Sequence, residues 1–175
     1  MTRPLANLLT LLCALIAPGT ARAQSAGEMA IKAAFLVKFG AYVDWPRGSG
    51  PVAICVVGRD PLGSALTGAA AGQLLDGRPI VVRRLESVSR DSGCAIAYLT
   101  GSTRQSVSAG LAALRSAPVL TVTDSRWNSA RGMIHFQIAS NRVRFHIDDR
   151  AAAAGGLGIS SKLMALGLSV RARGR

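Results

Sequence analysis

Pro51-Val52-Ala53-Ile54-Cys55-Val56-Val57 is an unbroken apolar run. Such a run is typical of a β-strand that is buried on both faces, as in a parallel sheet with helices on either side. Asp60-Pro61 follows, and a capping residue before proline is a common helix start, which predicts a helix from Asp60 to about Leu74. A strand followed at once by a helix indicates an α/β fold.

The same alternation continues along the chain. Ile31, Phe35, Phe39 and Tyr42 recur at helical spacing, which predicts a first helix over 26–43, ended by Trp45-Pro46. Further strands are predicted at 79–84, 94–99 and 118–123, with a helix at 103–115 capped by Ser102. These segments predict a three-layer α/β domain with a mostly parallel central sheet flanked by helices.

The last part of the chain has a different pattern. Two strand-like segments, 133–139 and 142–147, flank Ser140-Asn141, and asparagine tolerates the left-handed backbone of a tight turn. A two-residue loop pairs Ile138 with Val143, Phe136 with Phe145 and Ile134 with Ile147, so that every pair on one face is apolar. The sequence therefore predicts a C-terminal antiparallel hairpin, then a helix from about Ser160 and a frayed basic tail over 171–175.

The first 23 residues have the pattern of a signal peptide. Arg3 is followed by an apolar run over 5–17 and by Ala21-Arg22-Ala23, a small-residue cleavage site. The apolar run is shorter than the roughly 20 residues that a membrane-spanning helix needs. Cys13 lies inside the run rather than at the cleavage point, which excludes a lipoprotein signal. We therefore expect an exported, periplasmic protein with one domain over 24–175.

The chain is strongly basic, with a formal net charge of +12. The arginines are scattered, and export would separate the protein from nucleic acid, so we expect no nucleic-acid partner. Two explanations stay open: an arginine-rich composition without a role, or attraction to an acidic partner surface or anionic headgroups.

Cys55 and Cys94 remain after removal of the signal peptide, and both lie in predicted strands. Cysteines of exported proteins usually pair, which predicts a disulfide between them. The alternative is two buried free thiols.

No motif indicates catalysis. The sequence lacks a Gly-x-Ser-x-Gly nucleophile elbow. The loop from Gly58 to Gly63 has the glycine spacing of a phosphate-binding loop, but Ser64-Ala65 stands where lysine and serine or threonine are required. We expect neither an enzyme nor a bound cofactor.

His135 and His146 are the first candidates for a functional role. The hairpin register places them opposite each other, close enough to sense pH. They could also share a metal with Asp148, although a plain exposed pair is the simpler interpretation, and we predict no metal site.

Two segments and one side chain are candidates for binding a partner or ligand. Ser160, Ser161 and Lys162 open a predicted helix, where an anion could bind or serine could simply cap the helix. Tyr42 and Trp45, at a helix end, could anchor a partner or belong to the core. Arg144 is a further candidate, with an exposed strand face as its simpler interpretation.

Six blocks occur in a recognisable order. Ile31-Lys32-Ala33-Ala34-Phe35-Leu36 leads to residues 43–46, then 54–63, 77–85 with Cys94, 118–124, 132–145 and finally Gly158-Ile159-Ser160-Ser161-Lys162-Leu163. Together these blocks resemble the YfiR family over nearly all of the mature chain.

The resemblance implies a compact α/β domain in the periplasm, often dimeric. It implies repression of a YfiN-like inner-membrane diguanylate cyclase through that enzyme's periplasmic domain, with a YfiB-like outer-membrane lipoprotein relieving the repression. Repression of the cyclase would lower cyclic di-GMP and biofilm formation. The family's structural disulfide would correspond to Cys55 and Cys94. The leading hypothesis is therefore a periplasmic regulator, and the alternative is a small-ligand sensor with its site near Ser160 and Lys162.

Overall fold

A computed structural model describes residues 19–46, 48 and 50–174. The predicted signal peptide lies largely outside these residues, and its cleavage stays a prediction. Helix α1 spans Gly19–Phe39, beginning before the predicted start, and a short 3-10 turn over Gly40–Tyr42 leads into strand β1, Val43–Asp44. The predicted end of the helix at residue 43 was therefore wrong, since the backbone is already extended there.

The centre of the molecule is an eight-stranded sheet. Its strands are β2 (Val52–Gly58), β3 (Leu74–Leu75), β4 (Arg78–Leu85), β5 (Ile96–Gly101), β6 (Leu120–Asp124), β7 (Ile134–Ala139), β8 (Arg142–Asp148) and β10 (Ser169–Arg171), in the order β10-β8-β7-β6-β5-β2-β4-β3. Strand β9, Gly158–Ile159, pairs separately with β1. The helices are α2 (Gly63–Ala70), α3 (Val107–Ala113), α4 (Asp149–Ala154) and α5 (Ser161–Met164).

The sheet is mixed, with parallel pairing throughout its middle. Strands β4, β2, β5, β6 and β7 are parallel to one another, as expected of strands joined by crossovers. Antiparallel pairing occurs in the predicted hairpin β7–β8 and in a second hairpin, β3–β4, that the sequence patterns did not indicate. The sheet is therefore mixed rather than purely parallel: parallel pairing runs through its centre and recurs between β8 and β10, and two antiparallel hairpins interrupt it.

Both faces of the sheet are covered. On β2, Ile54 and Val56 belong to the apolar core beneath α1 and α2, whereas Cys55 and Val57 belong to a second core beneath α3. Alternation of buried side chains between two cores is what a doubly covered strand requires. Leu36 of α1 is completely buried in the larger core.

Three details of the predicted helices were wrong. Ile31, which belongs to the predicted apolar stripe of α1, is half exposed, because the buried face is rotated toward Lys32, Leu36 and Phe39. Helix α2 is shorter than predicted, and Asp60 accepts hydrogen bonds from the backbone of Leu62 and Gly63 just before it. Helix α3 is capped by Ser106 instead of Ser102; the Ser102 hydroxyl instead accepts hydrogen bonds from the backbone of residues 104 and 105 in the preceding turn.

The predicted hairpin is confirmed in register. Ile134 lies opposite Ile147, Phe136 opposite Phe145 and Ile138 opposite Val143. The turn residues Ser140 and Asn141 both have left-handed backbone angles, with φ of 49° and 58°. Both central positions of a two-residue type I′ hairpin turn need a positive φ, and asparagine accepts one at low cost.

The C-terminal segment differs from the prediction. The final helix is only the single turn α5, and Ser169–Arg171 forms β10, which lies parallel to β8 at the edge of the sheet and takes in the first residue of the predicted tail. Arg173 donates two hydrogen bonds to the buried carboxylate of Asp149 at the start of α4, with distances of 2.7 and 3.0 Å. Ion pairing and strand addition therefore order a segment that composition alone marked as frayed.

Candidate functional site

Strands β1 and β9 bring two of the candidate segments together. Val43 lies opposite Ile159, and the Ser160 N–H donates to the Tyr42 carbonyl at 2.9 Å. The two segments are far apart in sequence, so their meeting depends on the fold. We call the residues that meet here the strand-pair surface: Tyr42, Trp45, Ser160, Ser161 and Lys162.

The strand-pair surface combines a packed base with exposed polar groups. Tyr42 and Trp45 are half-buried against the larger core, and the Trp45 indole N–H donates to the Gly40 carbonyl at 3.0 Å. Ser161 and Lys162 are exposed. Ser160 caps α5, since its hydroxyl accepts from the Leu163 N–H at 3.3 Å. This is the ordinary capping role rather than evidence for an anion.

Gly158 explains why the strand pair can form. A side-chain Cβ at this position would lie 2.8 Å from the Asp44 carboxylate, closer than such atoms approach. Glycine therefore lets β9 lie directly against the side chain of Asp44.

Arg144 lies elsewhere. It is exposed on β8, opposite Gln137, on the hairpin face that carries His146, whereas Phe145 and Ile147 point into the larger core. Nothing in the described residues brings Arg144 onto the strand-pair surface, so its role stays a separate prediction.

The predicted pairing of His135 with His146 is present, with ring centroids 6.3 Å apart. The two rings differ in environment: His135 is buried and bonds to Thr123 at 2.8 Å, whereas His146 is partly exposed and bonds to Ser169 and Gln137. Burial lowers the pKa of both histidines, and the nearby Arg131 lowers them further. Both rings are therefore neutral at neutral pH.

Both carboxylate oxygens of Asp148 have partners of their own. One of its oxygens caps α4 by accepting from the Ala151 N–H at 2.9 Å, and the other pairs with Arg171 at 3.3 Å. Within 19–46, 48 and 50–174, no group of three or more His, Cys, Asp or Glu side chains is placed to hold a metal ion.

A buried ion network joins α1 to β6, and the sequence patterns did not single it out. Lys32 is completely buried, and its ammonium lies 2.6 Å from the buried carboxylate of Asp124. The Tyr98 hydroxyl donates to the same carboxylate at 3.0 Å. Burial, reinforced by the charge of Asp124, raises the pKa of Tyr98 far above its ordinary value, so the phenol stays protonated.

A second carboxylate and a second cation complete the network. Glu28 pairs with Lys32 on the same helix and with Arg126, whose guanidinium lies 2.6 Å from the other oxygen of Glu28. Two cations thus balance two carboxylates, which is the condition for burying charge. The sequence offers one clue to this network: Lys32 follows Glu28 by one helical turn and lies next to the apolar stripe of α1.

The predicted disulfide joins Cys55 to Cys94, with the Cα atoms 5.8 Å apart. Cys55 lies in the middle of β2, and Cys94 lies just before β5, the neighbouring strand. The bond therefore links β2 to the residues that lead into β5, and both cysteines are buried in the smaller core.

No helix among the described residues is long and apolar enough to cross a membrane. A comparison with curated proteins found no match. The sequence profile described as YfiR/HmsC-like matches residues 29–167, which include α1 from its middle turns, the whole central sheet up to β8, and the strand pair β1–β9. Because this match covers most of the chain, the protein belongs to the YfiR/HmsC-like family.

Proposed function

We propose that this protein is a periplasmic regulator that binds the periplasmic domain of an inner-membrane signalling enzyme and restrains it. The enzyme is a diguanylate cyclase, so the regulator lowers cyclic di-GMP and biofilm formation. The observation that carries the proposal is membership of the YfiR/HmsC-like family over residues 29–167. That family is regulatory rather than catalytic, and its members act in the periplasm.

The disulfide supports the proposed compartment. Disulfides persist in oxidising environments such as the periplasm and are rare in the cytosol. The bond between Cys55 and Cys94 is buried in the smaller core, where it links neighbouring strands. Export by the predicted signal peptide would deliver the chain to the compartment in which this bond forms.

The strand-pair surface is our candidate for the contact with the cyclase. It offers two aromatic side chains that are held in place by the core and a lysine that is free to approach a carboxylate. Rigid aromatic groups beside a charged rim are typical of the energetic centre of protein interfaces. Lys162 and the basic character of the whole chain favour an acidic surface on the partner.

Two further partners belong to the same proposal. A YfiB-like outer-membrane lipoprotein would compete with the cyclase for the regulator and so relieve repression. The regulator itself would act as a homodimer. The family implies both features, and they describe how the restraint of the cyclase would be controlled.

Binding measurements test the proposal directly. The mature chain, residues 24–175, is titrated against the purified periplasmic domains of the inner-membrane diguanylate cyclases of the same organism. We expect saturable binding to at least one domain, weakened at least about tenfold by Lys162→Glu if a charge pair is lost at the interface.

Arg104→Glu is the matched control, because Arg104 is also exposed but follows the carboxyl end of β5, whereas Trp45 of the strand-pair surface lies beside Pro51 and Val52 at the amino end of β2. It should leave the affinity unchanged. Absence of saturable binding to every domain contradicts the proposed function. Binding that both variants weaken equally contradicts the assignment of the strand-pair surface.

A further inference from the structure

A small pocket lies beside the histidine pair, between the loop that precedes β7 and strands β8 and β10. It has a volume of about 270 Å³. The pocket is lined by two arginines, both histidines and four further residues: Arg131, Arg171, His135, His146, Asp148, Ser169, Gly132 and Ile147. This composition is cationic, with a single carboxylate against two guanidinium groups.

His135 lines this pocket and bonds to the protein through one ring nitrogen. The buried Thr123 hydroxyl oxygen accepts from the Gly132 N–H at 2.9 Å and lies 2.8 Å from His135 Nδ1. The Thr123 oxygen has a second lone pair, so it can either donate its own proton to Nδ1 or accept one from it. When Thr123 donates, the single proton of the neutral imidazole resides on Nε2, which is then a donor. His135 is only 3% exposed, and its Nε2 has no protein partner among the described residues.

His146 is different, because both of its nitrogens are already engaged. Nε2 lies 2.7 Å from the Gln137 amide oxygen, and Nδ1 lies 2.7 Å from the Ser169 hydroxyl. The carbonyl oxygen can only accept, so Nε2 carries the proton and Ser169 donates to Nδ1. His146 therefore forms a wall of the pocket, and the ring nitrogen left for a ligand is His135 Nε2.

The arginines supply the charge. Arg131 is exposed and pairs with no carboxylate in the described part of the chain, although it lies close enough to lower the pKa of both histidines. Arg171 uses one nitrogen for Asp148 at 3.3 Å and keeps its remaining donors. The carboxylate of Asp148 is already bonded by Arg171 and by the start of α4.

We propose that this pocket binds a small oxyanion, with the Arg131 guanidinium and the His135 Nε2–H as its main donors and Arg171 at its rim. Two guanidinium groups and an imidazole nitrogen around one small pocket form the pattern of a phosphate or carboxylate site. The pocket's volume suits a free anion or the anionic end of a small metabolite. This site is separate from the strand-pair surface and does not depend on the proposed partner.

Binding of an anion should also change the titration of His135. The groups that face its ring are Arg131 and Thr123, His146 on β8, and the more distant Asp124 on β6, with Asp148 and Arg171 across the pocket. An oxyanion next to Nε2 would favour the protonated ring and oppose the effect of Arg131. The pKa of His135 should therefore rise when the site is filled.

The test follows the His135 imidazole nitrogens by NMR during titration of the mature protein with inorganic phosphate and, separately, with acetate. We expect saturable shifts of His135 with at least one anion, and the tighter of the two identifies the preferred oxyanion. Arg131→Gln should weaken that binding by about tenfold or more, the usual effect of losing a charge-assisted hydrogen bond.

Arg142→Gln is the control, since Arg142 is exposed on the same strand of the hairpin but does not line the pocket. It should leave both the affinity and the His135 shifts unchanged. His135 shifts that stay linear with both anions at millimolar concentration would overturn the proposal, and so would binding that Arg131→Gln leaves intact. Because Arg131 is exposed, its substitution should not disturb folding, which the amide spectrum verifies.

Discussion

The Lys32 ammonium lies 2.6 Å from the Asp124 carboxylate, although both side chains are almost completely buried. This pair fastens α1 to the middle of the sheet at β6. Removing one member of a buried pair leaves an uncompensated charge, which costs about 3–5 kcal/mol. A small domain has only about 5–15 kcal/mol of stability in total, so the pair is decisive for folding.

Lys32→Met should therefore lower the free energy of unfolding by about 3–5 kcal/mol, because Asp124 loses its cation in a buried site. Urea denaturation measures the change. Adding Asp124→Asn should recover part of the loss, since the amide removes the unpaired charge and still accepts from Tyr98.

Lys38→Met on the exposed side of the same helix is the control for this experiment and should change stability by less than about 0.5 kcal/mol. Equal effects of the two lysine substitutions would show that the buried ion pair does not stabilise the fold.

The disulfide should contribute about 4 kcal/mol, the value that chain entropy gives for a closed loop of roughly 40 residues. The cysteines are separated by 39 positions, and both are buried. Replacing both by alanine should lower the unfolding free energy by about that amount, and dithiothreitol should then have no further effect. If mass spectrometry of protein from the periplasm finds both thiols free, the pairing is wrong in the cell.

Two glycines with positive φ provide a matched pair of substitutions. Gly58 has φ of +98°, and a Cβ there would lie 2.2 Å from the Gly101 carbonyl oxygen; Gly63 has φ of +48° and open space around it. Gly63→Ala should cost about 1–2 kcal/mol from backbone strain alone. Gly58→Ala should cost clearly more, because β2 and β5 must also separate. Thermal denaturation compares the two variants, and equal losses would argue against the close contact.

Acidification should destabilise the protein through the histidines. Their pKa values are lowered in the folded state from the ordinary value of about 6.5, so the unfolded chain binds more protons as the pH falls. Their contribution to stability is complete above that pH and declines below it. In phosphate-free buffer, His135→Gln should reduce the difference in unfolding free energy between pH 7.5 and pH 5.5. An unchanged difference would contradict the lowered pKa of His135.

Local sequence patterns predicted those parts of the fold that local physics decides. The continuous apolar run of β2 and the alternating apolar residues of β7 and β8 are visible in the sequence itself. The turn residues Ser140-Asn141 set the register of the hairpin. The Cys55–Cys94 bond followed from the number of cysteines and the expected compartment.

The remaining features depend on distant parts of the chain. Strands β1 and β9 have two residues each and carry no period of their own, so their pairing arises only when the core brings them together. Lys32 is buried because Asp124, far along the chain, provides its counter-charge. Strand β10 forms just before the basic tail because β8 offers an open edge.

If this protein restrains a diguanylate cyclase, cellular cyclic di-GMP should depend on its presence. The nucleotide is measured in wild type, in a strain lacking this protein, and in that strain complemented with the wild-type chain or with Lys162→Glu. We expect a rise on deletion that the wild-type chain reverses and Lys162→Glu reverses less well. Cyclic di-GMP that stays at the wild-type level in the deletion strain, across growth on surfaces and in liquid, would rule out restraint of a cyclase.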